Sequence, residues 1–189
     1  MTESRSTTPP APAAGLSGVT AGKSSASSID GEVGTLRYRG YEIDELARRS
    51  SFEETAWLLW FGELPGRTEL ADFTTAMAGQ RTVPEIVLTA IAEAPPEASP
   101  MALLRTGVSA LGNHDPEGEA MAETANRRKA LRISAQLATL VAAIGRSRHG
   151  LEPVAPDPAL SHSANFIYML RGERADADEV RAVDVALVL

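Results

Sequence analysis

The sequence predicts an all-α fold with one small β-hairpin near its start, and three observations carry that prediction. Helix-start signals recur along the chain, at Ser51 with Glu54, Ser99 with Pro100 and Asp176 with Glu179. From about residue 42 onward, apolar residues repeat at spacings of three and four. Only residues 27–41 offer short β-branched and aromatic runs around a glycine-rich turn.

Residues 1–26, beginning MTESRSTTPPAPAAG, are polar and rich in Pro, Ala, Ser and Thr, and read as a disordered lead-in. In 27–41, SSID and TLRYRGY flank GEVG, whose Gly31 and Gly34 suit a turn. A two-stranded ribbon of this size is marginal alone and must lean on helices. Residues 42–49, EIDELARR, predict a short helix. Ser51 caps the next one, and its run SFEETAWLLWFG is apolar nearly all round, which predicts a buried helix. Gly62 and Pro65 end it.

A further helix is expected at about 68–79. Pro84 sits where a first-turn proline belongs, opening PEIVLTAIAEA. Ser99 and Pro100 open PMALLRTGVSAL, which Gly112 ends. After the polar loop GNHDPEG comes the longest periodic segment, from about Ala120 to His149, with Gly150 as its stop. Its predicted apolar stripe is Leu131, Ala135, Ala138, Val141 and Ala142. Such a helix would run ~45 Å, longer than a small domain is wide, which suits an interface or a larger body. Asp157 and Pro158 are expected to open PALSHSANFIYMLRG. Asp176 and Glu179 open the last helix, with Val180, Val183 and Leu187 on one face. The sequence then finishes in RAVDVALVL with no stop signal, so the last carbonyls of this helix are left without partners. A fraying end or a longer protein would explain that.

Composition narrows the function. The 189 residues are 43% hydrophobic and 23% charged, enough for a core, with a net charge of -7 that disfavours nucleic acid and anionic membranes. There are no cysteines, which excludes disulfides, thiol catalysis and cysteine-bound zinc. Apolar stretches such as LATLVAAIG are too short to span a bilayer, and the start lacks the apolar core of a signal peptide. A cytoplasmic location is the expectation.

Motifs for chemistry are weak. AGKS at 21–24 hints at a phosphate loop, but Ser17 stands where that motif needs glycine, and a strand comes next instead of a helix. His114, His149 and His162 are not at metal-ligand spacing. His114 reads as solvated, and His149 as favoured by a helix C-terminus. His162 lies among Ser161, Ser163 and Asn165, and suits either a site or a hydrogen-bonded structural role. The basic run NRRKALR at 126–132 suits a solvated helix face better than a phosphate ligand. Trp57 and Trp60 suit core packing better than a cofactor box.

The order of segments is more specific than any single motif. SSIDGEVGTLRYRGYEIDELA and SFEETAWLLWFGELP, then PMALLRTGVSALG, ANRRKALRISAQLATLVAAI, PDPALSHSANFIYML and ADEVRAVDVALVL, resemble the N-terminal half of citrate and 2-methylcitrate synthases. The resemblance covers about 27–189. It implies the N-terminal part of a helical large domain (42–189) that dimerises through the helices at about 100–111 and 119–149, where alanine-rich faces allow close approach. It also implies condensation of acetyl-CoA with oxaloacetate to citrate and CoA, or of propionyl-CoA in a 2-methylcitrate synthase. No cofactor is implied beyond acetyl-CoA as substrate.

In that family a histidine-rich motif of the form HADHE comes directly after the segment resembling DVALVL, and the catalytic histidines and aspartate come from there onward. No catalytic, cofactor-binding or metal residue is therefore carried onto this sequence. His114, His149 and His162 match none of the family's active-site histidines. The expectation for the isolated chain is inactivity, with poor solubility or assembly with another polypeptide that supplies the remaining half. A non-catalytic helical dimerisation partner and a truncated, non-functional product are the other readings.

Overall fold

The computed structural model describes residues 24–189. Most of the lead-in, with the glycine and lysine of AGKS, lies outside the described residues. Residues 24–189 form a helical stack with a small antiparallel sheet at one end.

The sheet has three strands in the order β1 (Ser27–Asp30), β2 (Thr35–Tyr38) and β3 (Tyr41–Glu42), one more than the predicted ribbon. Asp30 builds the first turn: its carbonyl accepts from the Gly34 N–H and its carboxylate from the Glu32 and Val33 N–H groups. The extra strand exists because Arg39 and Gly40, with φ of 49° and 92°, turn the chain tightly enough to pair Tyr38 with Tyr41. Both central residues at positive φ make a hairpin turn of the primed type, which usually announces itself with Asn or Asp before Gly. Arginine gives no such signal. Tyr38, Tyr41 and Ile43 pack against Leu46, Leu58 and Val188, so the sheet leans on helices as expected.

The described residues then form eight helices: α1 (Ile43–Arg49), α2 (Phe52–Phe61), α3 (Arg67–Ala78), α4 (Glu85–Ala92), α5 (Pro100–Gly112), α6 (Glu123–Ser147), α7 (His162–Arg171) and α8 (Ala177–Val188). The capping boxes at Ser51/Glu54 and Asp176/Glu179 form, and Ser99 accepts from the Ala102 N–H. Gly62 closes α2 in the left-handed conformation at φ 98°. Pro84 is the cap of α4 and precedes its first turn by one residue. Gly112 is the last residue of α5, and Asn113 takes the cap.

Several expectations need correction. Helix α2 is not buried all round: Leu58 and Ala56 face the core, but Trp57 and Trp60 are half-buried and Phe61 is exposed. Helix α6 is 25 residues, shorter at both ends than predicted, and at its start Lys129 ties the Gly118 and Ala120 carbonyls into a loop before it. Its buried stripe includes Ala135, Ala138 and Ala142 as expected, but Val141 points outward and Leu140 and Ile144 point in. Asp157 does not open α7. It makes a turn of its own, accepting from the Ala159 N–H, while Ser161 caps the helix. On α8 the buried pair is Asp184 and Val188, and Leu187 is exposed.

Helix α6 is the axis of the stack. It packs on α3, α4, α5 and α7, and α8 returns to lie against α1 and α2. Small residues set the closeness of two crossings. A Cβ on Gly107 of α5 would sit 3.3 Å from Leu140, and one on Gly145 of α6 would sit 2.6 Å from Leu170. Full burial of side chains such as Leu46, Leu58, Met77 and Leu140 contributes about 2 kcal/mol each.

Candidate functional site

The three histidines do not converge. His114 is exposed in the loop after α5, and His149 is exposed just past the end of α6. His162 is buried at the start of α7. Among the described residues no three His, Asp or Glu side chains are grouped to hold a metal ion.

His162 instead belongs to a buried polar cluster where α2, α7 and α8 meet. Glu53, in the first turn of α2, accepts the backbone N–H of His162 at 2.8 Å and so caps α7. Asp184 of α8 accepts the backbone N–H of Phe52 at 3.1 Å and so caps α2. The same carboxylate accepts the Ser163 hydroxyl at 2.8 Å and the Arg181 guanidinium at 3.0 Å. Arg181 also donates to the Ser50 carbonyl at 2.9 Å and to the Ala47 carbonyl, which closes the C-terminal end of α1. Each carboxylate thus meets the positive end of a helix and the arginine meets a negative one.

Arg81 completes the cluster. It is 1% exposed, and its guanidinium donates to the Asp157 and Leu160 carbonyls at 3.0 Å each. Its backbone carbonyl accepts the Thr139 hydroxyl. Burial lowers the pKa of Arg81 from its ordinary value, against the nearby charges of Glu53 and Asp157. Burial, and then the Arg81 charge, push His162 down to about 4, against a pull from Asp184. The imidazole is therefore neutral at pH 7. Its Nδ1 is buried without a hydrogen-bond partner. An uncharged, enclosed imidazole stacked on Phe52 suits a structural role, the second of the two readings its sequence context allowed.

The basic run at 126–132 is neutralised locally. Arg127 pairs with Glu123, Arg128 with Glu117, and Arg132 with Asp115 at 2.9 Å and Glu117 at 3.1 Å. Burial works against the Asp115 carboxylate, but the Glu117 N–H and Arg132 outweigh it and hold its pKa below the usual range. Arg128 chiefly does the same for Glu117. This is a fastened loop in which the arginines already have carboxylate partners. Trp57 and Trp60 pack edge-on against Phe73, each with centroids 5.5 Å away, as core packing requires.

Sequence reasoning missed Glu53, Arg81 and Asp184 as a group. Glu53 looked like an ordinary first-turn acid. Asp184 carried a signal, as the one charged residue in the apolar run Val183–Leu189. Arg81 carried none. The geometry is that of a helix-joining clamp, and among the described residues of this cluster no nucleophile or base is poised over a substrate cavity.

Comparison with known proteins supplies what this geometry does not. The family model described as citrate synthase, C-terminal domain, matches residues 15–189, reaching back into the segment read as lead-in. The chain is 43% identical over 179 residues to the citrate synthase of Haloferax volcanii, covering 93% of this chain and 47% of that protein. It is 40% identical over 175 residues to the 2-methylcitrate synthase of Mycobacterium tuberculosis, covering 93% of this chain and 44% of that protein. The crystal structure of the Pyrobaculum aerophilum citrate synthase matches the fold with a TM-score of 0.86 at 36% identity, over 92% of this chain and 46% of that one. The chain thus spans about half the length of the relatives it matches. With the family model running across all but the first residues, and the fold agreeing with it, the chain belongs to the citrate synthase family.

Proposed function

We propose that this chain is the N-terminal scaffold of a citrate synthase-type acyltransferase that condenses acetyl-CoA with oxaloacetate to form citrate and CoA. The family match over residues 15–189 carries the reading. In the complete enzyme a carboxylate takes a proton from the acetyl methyl group, one histidine stabilises the enol and another polarises the oxaloacetate carbonyl. The enol attacks that carbonyl, and water cleaves the resulting thioester. Residues 1–189 are assigned none of these roles. Their task is to hold the helical stack on which the reacting groups are mounted, and the Glu53–His162–Asp184 clamp is part of that rigidity.

A propionyl-CoA-using 2-methylcitrate synthase is the second reading, favoured by the 40% identity to the Mycobacterium tuberculosis enzyme. Dimerisation through α5 and α6, in the cytoplasm, belongs to the same proposal. It is supported by Met101 on α5, and by Ile133 and Val141 on α6, all exposed. The last two, with half-buried Leu137, form an i, i+4, i+8 stripe.

The test is the intact mass and the activity of the protein purified from its native cells. CoA release that needs oxaloacetate, in a species larger than 20.0 kDa or in a complex with a second polypeptide, supports the reading. Comparing acetyl-CoA with propionyl-CoA decides between the two substrates. Absence of CoA release from either, in a well-folded preparation, overturns it.

A further inference from the structure

The polar cluster at the start of α7 leaves two side chains incompletely bonded. Arg81 is 1% exposed and gives Nη1 to the Asp157 and Leu160 carbonyls. Its Nε and Nη2 are buried with no hydrogen-bond partner among the described residues. These two nitrogens form one edge of the guanidinium, a two-pronged donor. His162 is 4% exposed, and its Nδ1 is buried and unpaired in the same way. Buried polar groups are almost always paired, so two such neighbours need a common explanation.

The surrounding bonds hold the two side chains close together. Leu160, which accepts from Arg81, lies two residues before His162. Glu53 accepts the His162 backbone N–H, and its charge also acts on Arg81. Phe52 covers one face of the imidazole, and the Arg81 charge reaches the ring. Yet the unpaired nitrogens do not bond one another. Charge decides what can join them. Glu53 and Asp184 balance Arg81 and Arg181, and Asp157 is paired with Arg174, so a further anion would be buried without compensation. The joining group must accept from the Arg81 edge and donate to an imidazole nitrogen. A water molecule does both, and a buried water makes about three hydrogen bonds to otherwise unpaired groups.

We propose that a single buried water joins Arg81 to His162 and fixes the histidine tautomer. The water oxygen accepts the Nε–H and Nη2–H of Arg81. Both its protons are then free to be donated, one to His162 Nδ1 and the other to the Glu53 carboxylate. Nδ1 must be unprotonated to accept, so the neutral ring carries its proton on Nε2. The water ties the segment before α4 to both α2 and α7.

The test uses the full chain with nitrogen-15 in its arginines and histidines. The Arg81 Hε should give cross-peaks to water of opposite sign in NOE and ROE spectra, which mark a long-bound water and which proton exchange does not give. The His162 nitrogen shifts at pH 7 should report a bare Nδ1 and a protonated Nε2. His162→Phe keeps a ring on Phe52 but removes the acceptor, and oxygen-17 relaxation dispersion should then count one long-lived water fewer. Far-UV circular dichroism confirms that the helices of the variant are kept, and if they are lost the parent spectra decide alone. An Arg81 Hε with no water cross-relaxation overturns the proposal, and so does a protonated Nδ1. An unchanged count of bound waters in folded His162→Phe overturns it as well. A shift of the Arg81 Hε resonance with chloride at constant ionic strength would make the joining group an anion and overturn it too.

Discussion

The imidazole of His162 lies nearly flat on the ring of Phe52, with centroids 4.3 Å apart and planes 22° from parallel. The stack lies between α2 and α7, where burial and the Arg81 charge keep the imidazole neutral. His162 is held at about 4 in the fold against 6.5 unperturbed, so the unfolded chain binds the extra proton between those values. Its contribution is complete above about pH 6.5 and is lost as pH falls toward 4, by ~3 kcal/mol in all. His162→Gln should flatten the rise in urea midpoint between pH 4 and 6.5. An unchanged slope in the variant would assign that rise to other groups.

Asp184 holds three donors from two other helices and its own. Asp184→Ala should cost about 3 kcal/mol, because it leaves the Phe52 N–H and the Ser163 hydroxyl buried without an acceptor. Asp184→Asn keeps an acceptor and should cost less than half as much. Urea denaturation of both variants tests this ordering, and equal losses would show that the charge matters more than the cap.

The crossing of α6 and α7 depends on Gly145, since an added Cβ would meet the Leu170 side chain at 2.6 Å. Gly145→Ala should destabilise by about 1 kcal/mol, overpacking exceeding the gain in helix propensity. In a Leu170→Ala background the same change should instead stabilise, by up to about 1 kcal/mol. The reversal of sign in a double-mutant cycle is the checkable outcome.

Much of this architecture was legible because it rests on local chemistry. Ser51, Ser99 and Asp176 each satisfy a backbone N–H three residues on, so sequence spacing alone locates those starts. The signal failed where a long-range partner decides. Asp157 has the look of a cap, but Arg81 and Asn165 hold the 157–160 segment as a turn. Periodicity put Val180, Val183 and Leu187 on one face of α8. The clamp between Asp184, Phe52 and Ser163 rotates α8 so that Asp184 and Val188 are covered instead. The polar cluster was invisible for the same reason, since its members come from four separate stretches of chain.

Arg132 tests the loop between α5 and α6. Its guanidinium anchors Asp115, whose carboxylate also accepts the Glu117 N–H at 2.8 Å. Arg132→Gln should speed hydrogen exchange at the Glu117 amide by about tenfold, with little change at Leu140 in the core. Equal acceleration at both amides would mean that the whole domain had loosened.

The clamp also sets an order of events during synthesis. The Ala47 carbonyl and the Phe52 N–H wait for Arg181 and Asp184, which lie 134 and 132 residues further along the chain. A ribosome that has already released α1 and α2 has yet to make the groups that finish them. Until α8 emerges these two backbone groups have no side-chain partner, although α2 can already pack on Phe73 of α3 and Ala135 of α6. Helices α1 and α2 are thus completed by groups on α8.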